Sequence, residues 1–119
     1  MWEIIFYEKP NGRCPGKEFL DELSLKVDLP HIVHRLDLLA EFGQALKRPY
    51  VAPLRDNILE LRVKTQSGEY RFFHFYFEGK TIVITHGYQK KTDKVADSEI
   101  DKAIEYRKDY LARKRGQRR

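Results

Sequence analysis

At 119 residues, with 41% hydrophobic and 13% aromatic side chains, the chain is long enough for one domain with its own core, without disulfides or a structural metal. Its single cysteine, Cys14, excludes an intramolecular disulfide and a cysteine-based zinc cluster, and no run approaches the roughly 18 apolar residues of a membrane span. The net charge of +5 is unevenly held: residues 1–56 carry 8 basic and 9 acidic side chains, residues 57–119 carry 15 and 9, so the second half is suited to a polyanionic or acidic partner.

Trp2 to Tyr7 (WEIIFY) reads as an opening strand, stopped by the turn residues Lys9-Pro10-Asn11-Gly12. With no basic leader followed by an apolar run at the N-terminus, the expectation is a soluble, cytoplasmic protein with no membrane contact. From Pro15 a short helix is predicted, with Phe19, Leu20 and Leu23 on one side and Lys17, Asp21 and Glu22 on the other. Asp28 is placed to cap a second helix, which tolerates Pro30 in its first turn, buries a stripe of Ile32, Leu36, Leu39 and Ala40, and stops at Gly43. His31 and His34 have no third ligand nearby, so no metal site is expected. The stretch from Gln44 to Asn57 holds two prolines and no period, and reads as a connecting loop.

Residues 58–91 form the centre of the chain. Leu59, Leu61 and Val63 alternate with Glu60, Arg62 and Lys64, as in a half-buried strand; Ser67-Gly68 supplies a turn; Tyr70 to Phe77 is an aromatic-rich strand with Arg71 and His74 as its polar members. Glu78-Gly79 makes the next turn, and Thr81 onward is β-branched until His86-Gly87-Tyr88 breaks the pattern. With two-residue loops at both turns, residue 71 pairs with 64 and with 86, and Glu60, Arg62, Lys64, Arg71 and His86 share one face. A polar loop, Lys90-Lys91-Thr92-Asp93-Lys94, then leads to a helix capped by Asp97, with Ile100, Ala103, Ile104 and Leu111 inward. The basic ending from residue 113 reads as a flexible tail, a helix extension or a phosphate-binding arm.

The runs PLRDNILELRV, YRFFHFYF and IVITHGYQKKTDKVADSEIDKAIEYRKDYL, in that order, resemble the HigB-like branch of the RelE/ParE superfamily of bacterial and phage toxins. The resemblance spans nearly the whole chain and implies a single α+β domain over residues 1–119, with N-terminal helices packed on a small antiparallel sheet and a C-terminal helix. It also implies the toxin of a type II toxin-antitoxin pair: a ribosome-dependent endonuclease of messenger RNA, without metal or other cofactor, that turns the ribose 2′-hydroxyl on its own 3′ phosphodiester. Partners implied are the ribosome, messenger RNA and a helix-turn-helix antitoxin in a hetero-oligomer.

Such a reaction needs a base, cationic donors for the pentacovalent phosphate and an acid for the leaving 5′ oxygen. Arg71 is the expected charge stabiliser, because a guanidinium grips two phosphate oxygens at once; the structural alternative is a bridge across the sheet to Glu60 or Glu69. His86 is the expected acid or base, Glu60 a base or the residue that orients Arg71, and Tyr88 a proton donor or stacking ring. Arg62, Lys64, Lys90 and Lys91 are the expected phosphate contacts. The ParE branch shares the fold but binds DNA gyrase without catalysis, and an inactive prophage remnant that binds only RNA or an antitoxin is a third class.

Overall fold

Trp2, Ile4 and Phe6 pack to one side of the first strand, β1 (Glu3–Phe6), and Ile5 and Tyr7 to the other, so the sheet is covered on both faces from its first residues. The computed structural model describes residues 1–23, 26–91 and 96–117. Within them, β1 is followed by helices α1 (Pro15–Glu22) and α2 (Leu29–Phe42). Strands β2 (Val51–Pro53), β3 (Leu59–Lys64), β4 (Glu69–Phe77) and β5 (Thr81–Lys90) come next, and helix α3 (Asp97–Gln117) closes the chain. The fold is α+β: one five-stranded sheet in the order β1-β5-β4-β3-β2, with α1 and α2 on one face and α3 on the other. The β3–β4 and β4–β5 pairings are antiparallel as expected, β2 pairs antiparallel with β3, and β1 lies parallel to β5, which makes the sheet mixed.

One core joins Leu23, Ile32 and Leu39 of the N-terminal helical region to Leu61, Val63, Tyr70, Phe72, Ile82 and Ile84. The other joins Ile100, Ala103, Ile104 and Tyr110 of α3 to Phe73, Phe75 and Val83. The end of α3 is tied to β1's exit: Tyr7 donates to Asp109 Oδ2 at 2.6 Å and stacks on Tyr106, and burial with the Asp109 bond pushes the Tyr7 phenol up to about 12. Arg113 also donates to the Glu8 carbonyl, and helix α3 continues through Gln117, taking in most of the basic run.

Three local readings change. The segment from Gln44 to Asn57 contains the short edge strand β2, whose Pro53 lacks an N–H and so suits its place at the sheet edge. Asp28 occupies the cap position of α2 but makes no capping bond; it is buried, and its Oδ2 accepts the Tyr70 hydroxyl at 2.5 Å, an attraction to a residue 42 positions away that no helix-start signal encodes. Strand β5 does not end at His86-Gly87-Tyr88 but runs on to Lys90. Of the polar loop expected from Lys90, residues 92–94 lie outside the described residues.

Gly43 ends α2 as expected, and for two reasons. Its φ is +52°, and a Cβ there would come within 2.1 Å of the Trp2 indole. Gly43→Ala is therefore expected to destabilise the fold by about 2 kcal/mol or more, from left-handed strain plus overpacking, as read by urea unfolding. A midpoint equal to that of the parent would show that neither the turn nor the indole is constrained.

Candidate functional site

The register differs from the expected one at both hairpins, and the differences cancel. The β3–β4 loop has four residues, 65–68, so Arg71 pairs with Arg62 and Lys64 pairs with Glu69. The β4–β5 loop has three, 78–80, which alone would turn His86 to the opposite face. Between Phe73 and His74 the register shifts by one: His74 faces Ile84, Phe73 faces His86, and Thr85 is the extra residue of a β-bulge. The Thr85 hydroxyl donates to the Phe73 carbonyl at 3.2 Å, which occupies the acceptor at the irregularity. The bulge thus returns His86, Tyr88 and Lys90 to the face that carries Glu60, Arg62 and Arg71. Residue 71 is directly opposed by 62 and 88, not by 64 and 86.

On this face the charges are graded by depth. Side-chain exposure rises from 0% at Glu60 through 8% at Arg71 and 32% at Arg62 to 80% at Lys64. Glu60 Oε1 accepts from Arg62 Nε at 2.9 Å and lies 3.2 Å from Arg71 Nε, a contact of charges without hydrogen-bond alignment; Glu60 Oε2 has no partner. Arg71 Nη2 donates to Glu69 Oε2 at 3.3 Å, and Lys64 Nζ lies 3.8 Å from the other Glu69 oxygen. A buried carboxylate between two guanidiniums fixes where those guanidiniums point, because separating either from it leaves a bare charge in a dry site.

Tyr88 stands beside Arg71 on β5, its ring stacked on Phe73 at 5.7 Å and its hydroxyl buried without a partner. Burial, followed by the Glu60 carboxylate, holds the phenol above its ordinary range, so it keeps its proton at neutral pH. His86 is 4% exposed and lies under α3: Nδ1 is 3.2 Å from Thr85 Oγ1, Nε2 is 3.3 Å from Glu99 Oε2, and Phe73 and Tyr106 flank the ring. Burial pulls its pKa down against the opposing pull of Glu99. Lys90 lies opposite Glu69 at the strand end, and Lys91 beyond it is exposed.

A cleft of about 320 Å³ opens at the upper end of this face, lined by Arg35, Pro49, Tyr50, Arg62, Lys64, Glu69 and Arg71. Its far wall comes from satisfying an exposed edge. Strand β2 covers β3 only as far as Leu61, so the backbone of Arg62 needs other partners: Tyr50 supplies its carbonyl to the Arg62 N–H at 2.8 Å, and Arg35 donates to the Arg62 carbonyl. Four cations therefore face one carboxylate across the cleft walls. Of the residues singled out in the sequence, Arg62, Lys64 and Arg71 line it; Glu60 and Tyr88 stand next to Arg71, and His86 lies deeper.

The family model for phage-derived Gp49-like proteins (DUF891) matches residues 18–108. The chain belongs to that family. The family is RelE-like and toxin-like, in keeping with the broader resemblance read from the residues, and the matched stretch contains every residue that lines the cleft. No curated protein matches the chain. Among the described residues of this Gp49-like protein, no helix is long and apolar enough to cross a membrane.

Arg35, Pro49 and Tyr50 are the cleft residues that sequence reasoning did not place in the site, and Glu69 entered it only as a structural partner of Arg71, an ion pair that the structure does show. Arg35 did leave a signal: it falls three residues after Ile32 and four before Leu39, a charge within the buried stripe of α2. Pro49 and Tyr50 left none, since they stand in a proline-containing stretch without a period.

Proposed function

We propose that this Gp49-like protein is the toxin of a type II toxin-antitoxin pair, of the HigB-like kind, and that the cleft cuts messenger RNA in the ribosomal A site without a metal. The observation that supports this most is the Glu60–Arg71 contact: a guanidinium held by a buried carboxylate at the floor of a cationic cleft, with a protonated phenol alongside. A site of this build suits a phosphodiester that gains negative charge as it reacts.

In this reading Arg71 holds the non-bridging oxygens of the scissile phosphate, and Arg62 and Lys64 hold that phosphate's neighbours. Glu69, the carboxylate on the cleft wall, takes the proton from the ribose 2′-hydroxyl. The 2′ oxygen bonds to phosphorus, the bond from phosphorus to the 5′ oxygen breaks, and Tyr88, its buried phenol turning outward past Arg71, donates the proton that the leaving oxygen needs. The products are a 2′,3′-cyclic phosphate and a 5′-hydroxyl end, with protons and electrons balanced. Glu60 and His86 act as positioning residues, Glu60 on the two arginines and His86 between the Thr85 bulge and Glu99 of α3. Lys90 and Lys91 extend the phosphate track, and a helix-turn-helix antitoxin neutralises the site by laying an acidic segment across it.

Induction of the chain alone in bacteria, followed by mapping of new 5′ ends on translated messages, tests the reading. Codon-phased 5′-hydroxyl ends are expected. Growth arrest without such ends would replace it with gyrase inhibition, and no arrest with an inactive binder.

A further inference from the structure

We infer that Tyr50, backed by Arg35, is the platform on which one unpaired base of the RNA stacks beside the scissile phosphate; the inference rests on the nuclease reading and names a subsite within it. Three observations converge on it. The Arg35 guanidinium lies over the Tyr50 ring at 4.6 Å from its centroid, which takes one face of the ring. Tyr50 is nonetheless 38% exposed, among the few large hydrophobic side chains left open to solvent, and it lines the same cleft as Arg62, Lys64 and Arg71. Both members of the pair are also anchored: the Tyr50 N–H donates to the Lys47 carbonyl at 3.0 Å, its carbonyl accepts from Arg62, and Arg35 is fixed on the Arg62 carbonyl.

A ring held on one face by a cation and partly exposed among the residues of a cationic cleft matches what single-stranded nucleic acid needs: phosphates taken by Lys and Arg, and a base laid on an aromatic surface. Charge alone does not ask for Tyr50. A site for phosphate only would be complete with Arg62, Lys64 and Arg71, whereas the Arg35–Tyr50 stack adds a flat surface at the cleft's far wall, with room in about 320 Å³ for one nucleotide unit. The stack is tolerant of base identity, since every base has a π face, so the platform sets which nucleotide is held relative to the cut more than which base it is.

The test uses a short single-stranded RNA, made uncleavable by 2′-deoxy substitution at the cutting position, with 2-aminopurine placed at successive positions. It is titrated with the full chain both free and in the A site of a programmed ribosome. Quenching is expected at one position only. Tyr50→Ala should abolish that quenching and weaken binding about tenfold or more, while Tyr50→Trp should keep both. Because the ring is partly exposed, unfolding midpoints of the two variants should match the parent's. RNA bound in an Arg71-dependent way, with no quenching or with Tyr50→Ala behaving as the parent, overturns the platform and leaves the nuclease reading in place. No RNA binding in either setting overturns both, and loss of gyrase binding in Tyr50→Ala without RNA quenching assigns the surface to a protein partner instead.

Discussion

Arg71→Ala is expected to lose growth arrest and to lower the rate of message cleavage by about 10²–10³ or more, the usual loss when a donor aimed at developing charge is removed. The expectation follows from where the guanidinium sits. It is 8% exposed, so little water competes with it for a phosphate, and its Nε side is committed to Glu60 while Nη2 reaches Glu69 on the cleft wall. Alanine also leaves the fully buried Glu60 with Arg62 alone, and breaking a buried pair costs about 3–5 kcal/mol, so loss of function in that variant by itself does not separate chemistry from folding. Arg71→Lys separates them. Lysine keeps a positive charge near Glu60 but offers a point charge in place of a planar fork, so the fold should survive while cleavage falls at least about tenfold. Full cleavage by a folded Arg71→Lys variant would mean that no two-pronged grip on the phosphate is used, and full toxicity of Arg71→Ala would remove Arg71 from the mechanism.

Much of the fold was legible because period-two alternation survives any loop length. Leu59, Leu61 and Val63 do face the helices, and Glu60, Arg62 and Lys64 do face the other way. What alternation cannot give is the pairing of one strand with the next, which depends on loop lengths set by local turn energetics. Here a four-residue loop preserved the expected face, and a three-residue loop would have reversed it had Thr85 not bulged. The polarity of Glu60 was equally misleading about its depth. A glutamate on the outer face of a hairpin reads as solvated, but α3, arriving from some 40 residues further on, turns that face into a second core and leaves only its upper end open. The same cause puts His86 out of solvent, between Thr85 and Glu99. Arg35 and Tyr50 meet the site across gaps of 27 and 12 residues from Arg62, through backbone groups of a strand edge, and no side-chain pattern records such contacts.

Folding stability is expected to fall steeply as pH drops from about 6.5 toward 4, and His74 is one clear reason. It lies on the α1–α2 face of β4, fully buried, with no side-chain partner for either ring nitrogen, and burial pulls its pKa down to about 4 against the opposing effect of the Phe72 backbone. In the unfolded chain an unperturbed imidazole takes its proton near ~6.5. The folded-state pKa is the lower of the two, so across this window the unfolded state binds more protons and is favoured as acid is added. Stability is thus full above about pH 6.5 and declines by about 1.4 kcal/mol for each pH unit, to a total of about 3 kcal/mol near pH 4. His86, also lowered by burial, adds to the loss with the same sign. Urea unfolding between pH 7.5 and 4.5 reads the slope, and His74→Phe supplies the control: the phenyl ring has a similar shape, removes buried polar nitrogens that have no side-chain partner and cannot titrate, so stability at pH 7.5 should hold or rise while the acid slope is reduced. An unchanged slope in that variant would mean that His74 takes up its proton without opening the core. That would require water or a hydrogen-bond partner to reach the ring from the Tyr76 side, where its neighbour's hydroxyl is also without a partner.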